Sequence, residues 1–314
     1  MDSLRRLSTA STVATVLLIS IGGLVRATKS GLGCGTHWPE CSGKLVPALA
    51  NRALVIEYSH RLAAAVVVVL LAALALLAVK SFRHMPKLLW ASLGAFGLVM
   101  FQAVLGAIVV KLELEAGSVV LHLTTALLLV AVLLYITITA HAAQGKLRAT
   151  ADGSLSIQAW FTGASVLLLM VVGSYVTGRR AGLAFTDWPL MSGELLPDLG
   201  TELQAIHFLH RALAALVGAG VIVFARRAIR RRDEARLQAR LAHVAVGLFA
   251  VEVLIGALNV WTRLNAAAVT LHLLTGTLIW TTLVGIALVS RPALAAYPAR
   301  RKEPERRAAL ETSS

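Results

Sequence analysis

The sequence is short of charge: 15% of its 314 residues are charged against 57% hydrophobic, and its mean hydropathy is +0.76. That scarcity excludes a soluble domain of this size and makes the bilayer the solvent. Acidic residues are scarcer still, 16 against 30 Lys and Arg, for a formal net charge of +14. Such a surplus can signal nucleic-acid binding, but the basic residues are distributed as a membrane topology requires, and no nucleic-acid partner is expected. There are only two cysteines, Cys34 and Cys41, so thiol chemistry is confined to one short segment. The first apolar run lacks a small-residue cleavage site, and the segment after it recurs later with its own helix. A cleaved signal peptide is therefore not expected.

Apolar runs long enough to cross a hydrocarbon core of about 30 Å recur along the chain. They predict an all-α integral membrane protein with eight transmembrane helices, near residues 8–25, 54–79, 88–110, 118–140, 157–177, 203–225, 241–261 and 266–289. An even count puts both termini on one side. With the N terminus cytoplasmic, the inner segments hold Arg5, Arg6, Lys80, Arg83, Lys87, Lys146, Arg148, the arginines from Arg226 to Arg240 and the basic residues from Arg291 to Arg307. The outer segments hold only Arg26, Lys29, Lys44, Arg52, Lys111, Arg179, Arg180 and Arg263. This bias places both termini in the cytoplasm, with the Arg226–Arg240 run beside anionic lipid.

Sliding the sequence by 150 residues brings its two halves into register. His60-Arg61 falls on His210-Arg211, Trp38-Pro39 on Trp188-Pro189, Ser42-Gly43 on Ser192-Gly193 and Leu121-His122-Leu123 on Leu271-His272-Leu273. Two four-helix bundles related by a pseudo-twofold axis along the membrane normal are expected, residues 1–145 and 146–314, the second with a basic cytoplasmic tail. Gly94, Gly97, Gly106, Gly163, Gly218, Gly220, Gly247 and Gly256 are expected to let helices approach closely.

Ionisable side chains within a span are costly and face the bundle interior with a partner or ligand. His60, His122, His210 and His272 lie at similar shallow depth below the outer ends of helices two, four, six and eight. Equal depth on the second and fourth helix of one bundle suits axial binding of a heme iron from opposite faces, one site per bundle. Interhelical hydrogen bonding is the alternative. His37, His84, His141 and His243 fall in loops or at helix ends and read as interfacial or solvated.

The halves also differ. Glu57 shares a helical face with His60, whereas the second half has His207 beside His210. A carboxylate one turn from a heme ligand can exchange protons or stabilise a cationic intermediate, which makes the first bundle the candidate for chemistry. Pairing with Arg26 or Arg61, or capping of the helix start, is the plainer reading of Glu57. Arg61 and Arg211 are candidate propionate contacts, with structural pairing in the loops as the alternative. Cys34 and Cys41 lie in the oxidising outer compartment and read as a disulfide. Thiol exchange, or metal binding with His37, are the other options.

These residues resemble the heme A synthase family, in particular bacterial members with a cysteine pair in the first extracytoplasmic loop. The resemblance rests on Gly-Leu-Val-Arg-Ala-Thr with Ser-Gly-Leu at 23–32, the cysteines around Trp38-Pro39, Glu57-x-x-His60-Arg61 and the matching His122, His210 and His272. It implies a bacterial cell-membrane enzyme that oxidises the C8 methyl of heme O to a formyl group, giving heme A for cytochrome oxidase. By the same resemblance Glu57 is the catalytic carboxylate, His60 and His122 address the substrate heme, and His210 and His272 ligate a heme b cofactor. Heme O synthase and oxidase assembly factors are the partners it suggests. A di-heme b-type electron carrier and a non-enzymatic heme transporter or chaperone are the competing functions.

Overall fold

A computed structural model describes residues 1–48, 51–147 and 150–292. Arg148 and the tail arginines and lysine from Arg300 to Arg307, assigned above to the cytoplasmic side, lie outside the described residues. The described chain forms eight long helices: α1 (Asp2–Ala27), α2 (Arg52–Ser81), α3 (Pro86–Lys111), α4 (Ala116–Ala142), α5 (Gly153–Gly178), α6 (Glu202–Arg230), α7 (Arg236–Trp261) and α8 (Ala266–Val289). All eight are long and apolar enough to cross a membrane. They run 24–30 residues, or roughly 36–45 Å at the rise of an α-helix, and so outreach both a hydrocarbon core and the shorter apolar runs in the sequence. Several helix starts are capped by side chains. Asn51 accepts from the Leu54 N–H, Asp152 from Leu155, Asn265 from Ala267, and Thr201 forms a capping box with Gln204.

Helices α1–α4 pack as one ring and α5–α8 as another, while α1 meets α8, α4 meets α5, and α4 meets α8 between them. This network is unchanged when each helix is exchanged for the one four places on, as a twofold relation requires. Irregular backbone repeats as well. Trp38-Pro39 and Trp188-Pro189 are both cis. Ser42 and Ser192, Glu113 and Arg263, and Leu114 and Leu264 all take positive φ. Isolated bridges join Cys41 to Lys44 and Met191 to Glu194.

Apolar side chains fill each ring at one end only. Leu4, Leu71, Leu74, Leu88 and Leu133 make the first core. Leu155, Val221, Phe224, Ile279 and Leu283 make the second, which reaches across to Val16 and Leu127 of the first half. The four histidines lie toward the opposite end, beside residues 31–45 and 182–196 of the loops between α1 and α2 and between α5 and α6.

The packing glycines divide. Gly218 and Gly163 face Phe249 and Leu283 across helix contacts, whereas Gly94, Gly97, Gly220 and Gly247 have open space where a Cβ would stand. The expectation that those four bring helices together is therefore not met, because small size matters only where a neighbour fills the gap. Between the halves, glycines meet close neighbours instead at Gly23 against Leu273 and Gly178 against Ala116.

Candidate functional site

His60 and His210 are each eight residues past the start of their helices, and His122 and His272 each six, so the four differ in depth by only about 3 Å. All four line one continuous, mostly apolar cavity of about 1650 Å³ formed from both halves. A single ligand pocket spans roughly 300–1,000 Å³, so this space has room for two bulky ligands.

Each histidine stands against a glycine of the preceding helix. A Cβ on Gly22 would lie 3.2 Å from Cε1 of His60; on Gly173, 2.9 Å from His210; on Gly106, 3.6 Å from His122; on Gly256, 3.4 Å from His272. The Nδ1 atom of every one of these rings is buried without a hydrogen-bond partner, although that of His272 has a Glu252 carboxylate oxygen 3.2 Å away, off hydrogen-bond geometry. That leaves the Nε2 atoms as the ones facing the cavity. The ring centres of His210 and His272 are 6.5 Å apart. Metal–imidazole bonds are about 2 Å long, so two imidazoles gripping one ion from opposite sides have centres roughly 6 Å apart. The spacing of the second-half pair therefore fits a bis-imidazole iron, and the two rings, inclined at 80°, do not hydrogen-bond to each other.

Around His60 the first loop is anchored to α2. Glu57, 3% exposed, accepts from the backbone N–H of Cys34 at 2.8 Å and from Arg61 Nη2 at 2.6 Å. Cys34 and Cys41 form a disulfide, packed on Leu54 and Tyr58. Because both thiols are consumed, the reading of Cys34, His37 and Cys41 as metal ligands falls, and exposed His37 stays in the loop. Arg61 also donates to the carbonyls of His37, Pro39 and Glu40.

In the second half the same places are filled by different chemistry. The Phe185 N–H points at His207 Nδ1 (3.3 Å) and Arg211 Nε at His207 Nε2 (3.1 Å). A neutral imidazole has one acceptor nitrogen and satisfies only one of these donors, whereas the Glu57 carboxylate satisfies both of its own. The shorter Arg211 contact is the better bond. Arg211 further donates to the carbonyls of Asp187 and Leu190. Where the first loop has a disulfide, the second has the Asp187 carboxylate accepting from the N–H groups of Ser192 and Gly193, each at 2.8 Å. Those two bonds, Gly193 foremost, hold Asp187 below the usual carboxylate range.

Arg61 and Arg211 thus line the cavity but spend most of their donors stapling loops. The plainer reading of Glu57, pairing with Arg61, is what the structure contains, and the carboxylate still lies in the cavity wall. His141 and His243 each bond the carbonyl four residues back, and His84 is exposed, as expected of interfacial residues.

Three features escaped the sequence reading. Gly22 and Gly173 are equivalent, but at an offset of 151, because the second loop is one residue shorter between Phe185 and Trp188 than the first is between Cys34 and Trp38. Arg26 lines the cavity and, among the described residues, makes no side-chain hydrogen bond or ion pair. Glu252 of α7 lies behind His272, with its Oε1 3.2 Å from Nδ1.

Comparison with known proteins decides the family. The family model COX15-CtaA, described as a cytochrome oxidase assembly protein, matches residues 5–54 and 48–284. The chain belongs to the COX15-CtaA family. Among curated relatives, the heme A synthase of Symbiobacterium thermophilum is 31% identical over 88% of this chain and 92% of its own length. That of Bacillus licheniformis is 31% identical over 73% and 76%, and that of Staphylococcus saprophyticus 27% over 89% and 94%. The fold, the cysteine pair and the multi-pass membrane character all agree with membership.

Proposed function

We infer that this protein is a heme A synthase, an oxidoreductase that converts the C8 methyl of heme O to a formyl group. The observation that carries this reading is the Glu57 carboxylate, fixed by two donors in the wall of a cavity where four imidazoles offer free Nε2 atoms. Methyl plus water to formyl releases four protons and four electrons, so the reaction needs a proton acceptor and an electron route. Glu57 is the acceptor. Its counterpart His207 is an imidazole with one acceptor nitrogen in place of a carboxylate, which supports turnover in the first half, residues 1–145, and electron transfer in the second.

His60 and His122 orient heme O so that its methyl meets Glu57. The disulfide loop fixes Glu57 from behind through the Cys34 N–H. A heme b held by His210 and His272 supplies one-electron transfer when bound. Arg26, with its donors uncommitted, is the stronger propionate partner, and Arg61 and Arg211 contribute the few N–H groups their loops leave over. Both termini are placed in the cytoplasm and the heme sites toward the outer face, by the distribution of basic residues. Heme O arrives from the bilayer or from the synthase that makes it, and oxidase assembly factors receive the product.

The test is to express Glu57→Ala beside wild type with a supply of heme O and identify extracted hemes by mass. We expect the variant to retain protoheme and lose heme A. Undiminished heme A in the variant would remove Glu57 from the mechanism.

A further inference from the structure

One carboxylate deep in a helical span has no part in the function proposed so far. Glu252 on α7 is largely buried, its Oε1 lies 3.2 Å from Nδ1 of His272, within ion-pair range but off hydrogen-bond geometry, and its Oε2 is buried without a partner. Space for it is provided from α8: a Cβ on Gly276 would stand 3.1 Å from Oε1. The first half has Gln102 at the equivalent position and Ala126 in place of Gly276. Gln102 does something else. Its Nε2 donates to the His122 carbonyl at 3.1 Å and to Thr125 Oγ1, so it ties down the backbone of α4 and leaves the His122 ring alone. Of the four cavity histidines, His272 alone has a carboxylate behind its ring.

We propose that Glu252 is the positioning residue of the second-half heme site, accepting the Nδ1 proton of His272 so that Nε2 presents its lone pair to iron. The inference rests on the reading of His210 and His272 as heme ligands. A neutral imidazole can carry its proton on either nitrogen, and only the Nδ1–H form can bind metal through Nε2. An acceptor oxygen behind the ring selects that form, restrains ring rotation and raises the basicity of the ligand. A more basic axial ligand favours the oxidised iron, so the second-half heme takes a lower reduction potential than it has without Glu252. The pair Glu252–Gly276, against Gln102–Ala126, is then the device that makes two repeats of one fold electronically unequal.

The test uses full-length protein, purified as wild type, Glu252→Gln, Glu252→Asp and His272→Ala. Each is analysed for heme content and then titrated redox-spectroscopically. Glu252→Gln keeps the shape and removes the charge; we expect the heme to be retained with its midpoint potential shifted upward. Glu252→Asp keeps the carboxylate but draws it back, and its midpoint should fall between the other two. A Glu252→Gln protein that keeps its heme at the wild-type potential overturns the proposal. If Glu252→Gln loses its heme, Glu252→Asp decides: an upward shift supports the assignment and an unmoved midpoint overturns it. As a gain of function, Gln102→Glu with Ala126→Gly should lower the potential of heme bound in the first half, which a merely structural role does not predict. Retention of the second heme in His272→Ala instead overturns the underlying ligand assignment, so the two failures are distinguishable.

Discussion

The glycine behind each histidine makes heme binding sensitive to a single methyl group, in a graded way that the geometry ranks in advance. In Gly173→Ala the new Cβ stands 2.9 Å from Cε1 of His210. Carbon atoms rest at about 3.5–4.0 Å, so the imidazole must retreat by roughly 0.6–1 Å. A metal ligand tolerates about 0.2 Å. Overpacking of this kind costs about 1–3 kcal/mol, or roughly 5- to 150-fold in heme affinity. The fold itself should not suffer, since Ala in a helix interior is favoured over Gly by about 1 kcal/mol. At Gly106 the corresponding distance is 3.6 Å, an ordinary contact, and at Gly22 and Gly256 it is 3.2 and 3.4 Å. The assay is heme-to-protein ratio and reduced absorption spectrum of the four purified alanine variants. Loss should be greatest in Gly173→Ala and least in Gly106→Ala, with Gly173→Ala affecting only the second-half heme. A Gly173→Ala protein with wild-type heme content and spectrum, beside a depleted Gly106→Ala, would refute the reasoning.

Arg26→Gln should weaken heme O binding by roughly 10- to 150-fold, the worth of a charge-assisted bond of about 1.5–3 kcal/mol, raising KM more than it lowers kcat. Arg211→Gln should instead loosen the loop between α5 and α6, seen as faster limited proteolysis, because its donors hold the carbonyls of Asp187 and Leu190. The hold of Asp187 on that loop has a defined pH range. Its lowered pKa means the stabilisation is fully present above the ordinary carboxylate value of about 3.9 and is lost only as pH falls through the lower, folded value. Protease resistance of the second loop should thus be the same at pH 7 and pH 5, and should drop at pH 7 in Asp187→Ala.

Much of this was written in the sequence in forms that survive substitution. A fixed spacing of 150 residues carries His60 onto His210 and His122 onto His272, so the paired imidazoles were legible before any coordinates. Glu57 and Arg61 are four residues apart, so their contact follows from helix geometry. The Gly22–Gly173 match was hidden because the register slips by one residue across the outer loop. Glu252 and Gln102 were hidden for a different reason: an amide opposite a carboxylate is not a match, and only folding brings Glu252 against His272, twenty residues away. Loop carbonyls, which take most of the donors of Arg61 and Arg211, belong to every residue and leave no mark in a sequence. Small residues misled for the converse reason, since Gly94 and Gly220 look like packing glycines until their neighbours are known to be absent.

The central claim is that two histidine pairs hold two different hemes. It is tested most directly by purifying wild type, His122→Ala and His272→Ala from cells supplied with heme O and quantifying each heme by mass. We expect heme A and protoheme in wild type, selective loss of heme O and heme A in His122→Ala, and selective loss of protoheme in His272→Ala. The opposite pattern of losses, or a full complement of both hemes in either variant, would contradict it.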